Sequence, residues 1–192
     1  MRKLESEYDN FIDNQFIDFA DIIDNYFFKL NFSANDITTL SLISGLICIS
    51  LFMQQYYVLA GIFYMISYFF DCMDGYYARK YNMTSDIGDI YDHFKDITIF
   101  IILLYLLYDH HKNSPNKYVY LIFFIIIGIL CSIHFSCQEL YYDKPTMTTQ
   151  IFKMCPANKE NVTKVLPYTK YFGTGTFSVL FSLFIALTNY LK

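Results

Sequence analysis

Between Tyr57 and Tyr108 the chain reads YVLAGIFYMISYFFDCMDGYYARK (57–80), YNMTS (81–85) and DIGDIYDHFKDITIFIILLYLLY (86–108). Two apolar runs, Tyr57 to Ala78 and Asp86 to Tyr108, each approach the roughly 20 residues that a helix needs to cross a bilayer core. Only a short turn at Lys80 to Thr84 joins them, so the stretch reads as a helical hairpin in a membrane. Yet it carries Asp71, Asp74, Asp86, Asp89, Asp92 and Asp96. A carboxylate at membrane depth is costly unless it is paired or metallated, which makes these the residues to explain.

Depth and phase bring four of them together. With the first helix ending near Arg79 and the second starting near Ser85, a rise of 1.5 Å per residue sets Asp71 roughly 12 Å from the turn, and Asp92 and Asp96 roughly 10 and 16 Å from it. Asp71, Asp74 and Ala78 share one helical stripe, and Gly88, Asp92 and Asp96 share another. Four like charges cannot all ionise in such a space without cations. Oxygen-only ligands select hard ions, Mg2+ or Mn2+, and four carboxylates suit two ions per site. A polar seam that merely joins two helices is set aside, because carboxylates without basic partners repel. Gly75, Ala78 and Gly88 remove bulk where a substrate must approach backbone, and Arg79 is a planar donor suited to phosphate. Asp86 and Asp89 read as charges favoured by a helix N-terminus and are left outside the site.

The rest of the chain fits a membrane setting. Of its 192 residues 55% are hydrophobic and 17% charged, with a mean hydropathy of +0.28; soluble domains carry about 25% charged residues. A net charge of -4 gives none of the basic surface that nucleic-acid binding needs. Three further apolar segments, Ile37 to Met53, Tyr118 to Gln138 and Tyr171 to Leu191, bring the expected spans to five. A sixth would have to lie in the polar stretch 139–170. Residues 1–30 read as an amphipathic helix with Leu4, Tyr8, Phe11 or Ile12, Phe16, Phe19, Ile22 or Ile23, Tyr26 and Leu30 on one face and Asp9, Asp13, Asp18, Asp21 and Asp24 largely opposite. Its polar face is acidic, which predicts docking on the bundle (37–191) more than a grip on anionic lipid. The opening residues resemble neither a cleaved signal nor a transit peptide. The whole of 1–192 is read as one domain.

With the N-terminus in the cytosol, segments 1–36, 79–95 and 139–170 hold 11 of the 14 Lys and Arg, so the positive-inside rule favours that orientation. An odd span count then puts the C-terminus outside. Five cysteines without C-x-x-C spacing predict neither a disulfide framework nor a zinc site. His110 and His111 beside Asp109 read as solvated, His134 with Cys137 and Glu139 as packing, and Gly173 to Thr176 as close helix packing. Lys144, Lys153, Lys159 and Lys164 read as inside-facing charge before acceptor-phosphate or headgroup binding.

The hairpin also carries a resemblance. Asp71, Asp74-Gly75, Ala78-Arg79, Gly88, Asp92 and Asp96 reproduce the D-x2-D-G-x2-A-R-x8-G-x3-D-x3-D signature of the CDP-alcohol phosphotransferase family at all eight fixed positions. More weakly, Ala34-Asn35-Asp36-Ile37-Thr38 resembles the family's Pro-Asn-x-x-Thr segment, with Ala34 in place of Pro. The resemblance implies an all-α polytopic membrane bundle of five to six spans that transfers a phosphoalcohol from a CDP-alcohol donor to an acceptor alcohol and releases CMP. It implies Asp71, Asp74 and Asp92 as metal ligands and Asp96 as general base close to the metals, counted with them in the metal site. Gly75, Ala78 and Arg79 would line the CDP-alcohol pocket, in a homodimer whose site faces the cytosol. Family members of this size usually have six spans, one more than is counted.

The flanks point to two substrate classes. Gly75 to Asn82 resembles the CDP-diacylglycerol users, and Gly88 to His93 resembles the choline and ethanolamine phosphotransferases. The latter are usually about twice as long, which tips the expectation to CDP-diacylglycerol. A non-catalytic scaffold gives no reason for Asp96 and Arg79, and a divalent-cation transporter none for Arg79 and the small residues.

Overall fold

The computed structural model describes Arg2, residues 4–142 and residues 154–191. Among these the chain is all helix: α1 (Phe11–Lys29), α2 (Ala34–Met53), α3 (Tyr57–Lys80), α4 (Asp86–His111), α5 (Lys117–Tyr142), α6 (Val162–Thr169) and α7 (Thr174–Leu187), with 3-10 turns at Lys170–Phe172 and Thr188–Tyr190. Each of the five apolar segments forms a helix. Four stretches combine the length and apolarity to cross a membrane: α2, α3, α5 and the run Val162–Tyr190. The α4 helix has the length, but its first turns carry Asp86, Asp89, Asp92, Lys95 and Asp96. Its apolar part, Ile97 to Tyr108, reaches only about 18 Å. Lys144 and Lys153 fall in residues 143–153, the part of the 139–170 stretch that lies outside the described residues.

The turns follow from local chemistry. Ser33 caps α2 and Asp36 answers it, each side chain accepting from the other's backbone N–H. Ser85 caps α4 by accepting from Gly88 N–H. The left-handed residues between helices include Asn31 and Asn82, a type that tolerates positive φ.

Two compact units share the chain, with the division falling inside α1 and α7. The first comprises Met1–Arg2, Phe16–Lys117 and Ser178–Lys192. Here Ser41 Oγ donates to the Ser67 carbonyl and Ser67 Oγ to the Ser41 carbonyl, both at 2.8 Å, so α2 and α3 are stitched by a reciprocal buried pair. Gly45 admits the Ile99 side chain of α4, and Gly61 lies against the Ser182 backbone of α7. Ile17 and Ala20 of α1 pack on Ala34, Ile37, Met73, Tyr76 and Tyr77.

The α1 helix thus docks as expected, but by only part of the expected face: Phe16 meets Phe69 and Ile23 packs on the core. Phe11, Phe19, Ile22, Tyr26 and Leu30 are exposed, whereas Asp13 and Asp24 are buried. The reason is a polar latch: Lys80 Nζ lies 2.6 Å from both Asp21 and Asp24, and Tyr76 donates to Asp21. These donors hold the Asp21 carboxyl below its usual range. His110 and His111 are also not simply solvated. His111 is buried, its ring stacked on Phe184 and its Nε2 3.3 Å from Thr188 Oγ1, while His110 Nδ1 meets the Tyr57 hydroxyl at 3.3 Å.

The second unit comprises Lys3–Gln15 and Tyr118–Phe177. Its centre is Asn10, whose Nδ2 donates to the Lys170 carbonyl and to Thr176 Oγ1 and whose Oδ1 accepts from Ile12 N–H. A Cβ on Gly173 would lie 2.9 Å from Asn10 Cβ, and one on Gly175 2.5 Å from Asn10 Oδ1. These glycines serve close packing, as read, but of the N-terminal segment. His134 packs as expected, with Nδ1 3.0 Å from Thr169 Oγ1 and Nε2 2.9 Å from Gln138 Nε2. Cys137 and Cys155 form a disulfide, which corrects the expectation of none. The sequence hides it because its partners sit 18 residues apart with no motif around either.

Candidate active site

The last turns of α3 and the first turns of α4 bound a cavity of about 310 Å³, closed on a third side by the first turn of α2. Six of the eight fixed motif positions line it: Asp74, Gly75, Ala78, Arg79, Gly88 and Asp92. The small residues act where they stand. A Cβ on Gly75 would lie 3.2 Å from Arg79 Nη1, so the missing side chain lets the guanidinium fold back over its own helix. A Cβ on Gly88 would lie 2.9 Å from Asn35 Oδ1, so α2 reaches the cavity only because position 88 is bare.

Carboxylates gather on one side of the cavity. Asp71, Asp74 and Asp92 offer oxygens that all lie within 4.8 Å of one another, a set able to hold a metal ion. Asp74 is only 5% exposed, and its Oδ2 has no hydrogen-bond partner among the described residues. A buried carboxylate oxygen left unpaired is costly. A hard cation satisfies it, and an all-carboxylate set is the donor chemistry that Mg2+ and Mn2+ take.

The expectation that these carboxylates have no basic partner is overturned by Lys95. Its residue is 2% exposed, and its Nζ lies 3.0 Å from Asp92 Oδ1, 2.8 Å from Asp96 Oδ1 and in direct contact with Asp71 Oδ1. It also donates to Ser41 Oγ at 3.1 Å. Asp96 stands outside the group of three and is tied to it through this ammonium; half its side chain is exposed. Lys95 therefore drops out of the loop charges that oriented the chain. The signal was available, since a lysine between Asp92 and Asp96 pays the same burial cost that singled out the aspartates.

Other lining residues were missed or excluded. Asn35 and Thr38, noted only for their resemblance, face the cavity, as do Met83, Thr84 and Ser85. Asp86 and Asp89 are in the first turn of α4, as the dipole argument placed them, and they line the cavity as well.

Compared with known families, residues 31–189 match CDP-alcohol phosphatidyltransferase. Neither a curated protein nor a solved structure gives a significant match.

Proposed function

The chain belongs to the CDP-alcohol phosphatidyltransferase family, and on that premise we propose that it is a metal-dependent membrane transferase of phospholipid synthesis, with CDP-diacylglycerol as the favoured donor. The observation that carries this reading is the cavity lined by six motif residues with the unpaired Asp74 oxygen beside it. Asp71, Asp74 and Asp92 hold a divalent ion, Mg2+ or Mn2+, which when bound neutralises the diphosphate and polarises the transferred phosphoryl group. Arg79 and the backbone at Gly75 and Ala78 take the CDP moiety, with the guanidinium toward the diphosphate. Asp96 accepts the proton of the acceptor hydroxyl as its oxygen bonds to the phosphorus bearing the alcohol. The bond from that phosphorus to the bridging oxygen breaks, and CMP leaves. The reading carries two copies in the membrane and a site open to the cytosol, where CTP-derived donors are made; labelling of a cysteine placed at Lys80 tests the side.

The experiment is CMP release from purified protein over a matrix of CDP-alcohols and acceptor alcohols. Release is expected with Mn2+ or Mg2+ and none in EDTA. Turnover in chelator rules out the metal-dependent reading. No release with any pair, with Mn2+ still bound, favours a non-catalytic scaffold.

A further inference from the structure

The expectation of two ions counts four carboxylates and no resident cation. Lys95 changes that count. Its ammonium stands among Asp71, Asp92 and Asp96, and the oxygens it uses, Oδ1 of each, are ones that an ion between those three residues would need. The position is built. The Lys95 side chain is 1% exposed, and Ser41, itself locked to Ser67 across α2 and α3, offers it a further acceptor. An ammonium has three protons, so these neighbours occupy it fully. On the other side of Asp71 and Asp92 the buried Asp74 Oδ2 has no hydrogen-bond partner among the described residues and, unlike Asp92 Oδ1, which lies 3.0 Å from Lys95 Nζ, no ammonium beside it, so that side still lacks a cation.

We propose that Lys95 fills one of the two cation positions of the acidic cluster, so that the chain holds a single divalent ion, among Asp71, Asp74 and Asp92. The charge balance agrees. Four carboxylates with one ammonium and one divalent ion carry a small negative residue, whereas a second divalent ion drives the cluster positive and sets two cations on shared oxygens. The residue is thus a tethered counter-ion that fixes Asp71, Asp92 and Asp96 in place. It rests on the metal-dependent reading above, and the test separates the two.

The measurement is the number of Mn2+ ions bound per chain by the purified protein, from equilibrium dialysis with Mn2+ alone, with electron paramagnetic resonance to distinguish single ions from coupled pairs. The wild type is expected to bind about one Mn2+ with an uncoupled spectrum, K95R about one, and K95Q about two with a coupled spectrum. K95M, of similar length and without charge, takes the place of K95Q if that variant does not fold. Two Mn2+ in the wild type overturns the proposal while leaving the metal-dependent reading intact. One Mn2+ in both the wild type and the neutral variant overturns it too, since Lys95 would not be what excludes the second ion. No Mn2+ in any variant overturns the metal reading itself, and this proposal with it.

Discussion

In the unit that holds the motif, three carboxylates share one ammonium and a fourth, Asp74, keeps a buried oxygen without a hydrogen-bond partner among the described residues. In the unit built around Asn10 and His134, both side-chain polar atoms of Asn10 and both ring nitrogens of His134 are taken. Both sets are buried and polar, and each sits where small residues allow close approach. What separates them is balance. A polar cluster that closes on itself adds stability and orientation, whereas one with surplus charge and an open acceptor is a place for a ligand to complete.

The sharpest way to break this comparison is to alter the unbalanced cluster. Asp74→Asn should lower CMP release by roughly 10³-fold or more, several kcal/mol of barrier, and should weaken binding of both Mn2+ and donor. Insertion should be normal, because Asn keeps the size of the side chain and the apolar runs of α2 and α3 are untouched. Asp96→Asn should cost 100- to 10,000-fold in rate, about 3 to 5 kcal/mol, with donor affinity kept. Calorimetry beside single-turnover release separates the two. Equal loss of donor binding in both variants makes Asp96 a ligand rather than the base.

Next in size are the supports of the balanced unit. Cys137→Ser should reduce thermal stability by about 3 kcal/mol for a closure of this length, with the rate per folded molecule unchanged. The same pair sharpens the topology. Charge bias puts residues 139–170 in the cytosol, where thiols are kept reduced, whereas a lasting Cys137–Cys155 bond needs an oxidising compartment. Thiol counting on acid-quenched cells decides between them: three free cysteines, Cys48, Cys72 and Cys131, would mean a lasting bond and overturn the charge bias for 139–170. A count of five would side with the charge bias.

Asn10→Ala removes three hydrogen bonds from a buried position and should cost about 2 kcal/mol of stability, read by thermal unfolding, without a change in metal affinity. A fall in Mn2+ affinity instead would mean that the two clusters are not independent.

The smallest effect concerns the latch on α1. Asp21 has its folded pKa lowered by Lys80 and Tyr76, so its contribution is present above the unfolded value near 4 and is lost as pH falls through the lower folded one. Amide exchange in α1 should quicken below about pH 4. Unchanged protection would show that Ile17 and Ala20 dock the helix without the latch.

Much of the hairpin was legible because bilayers punish polar groups: six aspartates in otherwise apolar helices announce themselves, and a rise of 1.5 Å per residue is enough to level them. Lys95 was passed over because one lysine near a span end also serves topology, and both uses look alike in a one-dimensional count. The α1 face was only partly legible for a related reason. Periodicity ranks apolar against polar, but Lys80 makes Asp24 of α1 worth burying.

The sequence by itself determined the all-helical membrane class, the boundaries of the hairpin and which carboxylates share a level, since hydropathy, helical rise and motif spacing are local quantities. Tertiary structure alone decided that Lys95 pairs with three of those carboxylates, that Asn35 reaches the cavity over Gly88, and that Cys137 meets Cys155. Those contacts depend on which helix faces compete for one partner, and that competition is settled only when the helices pack.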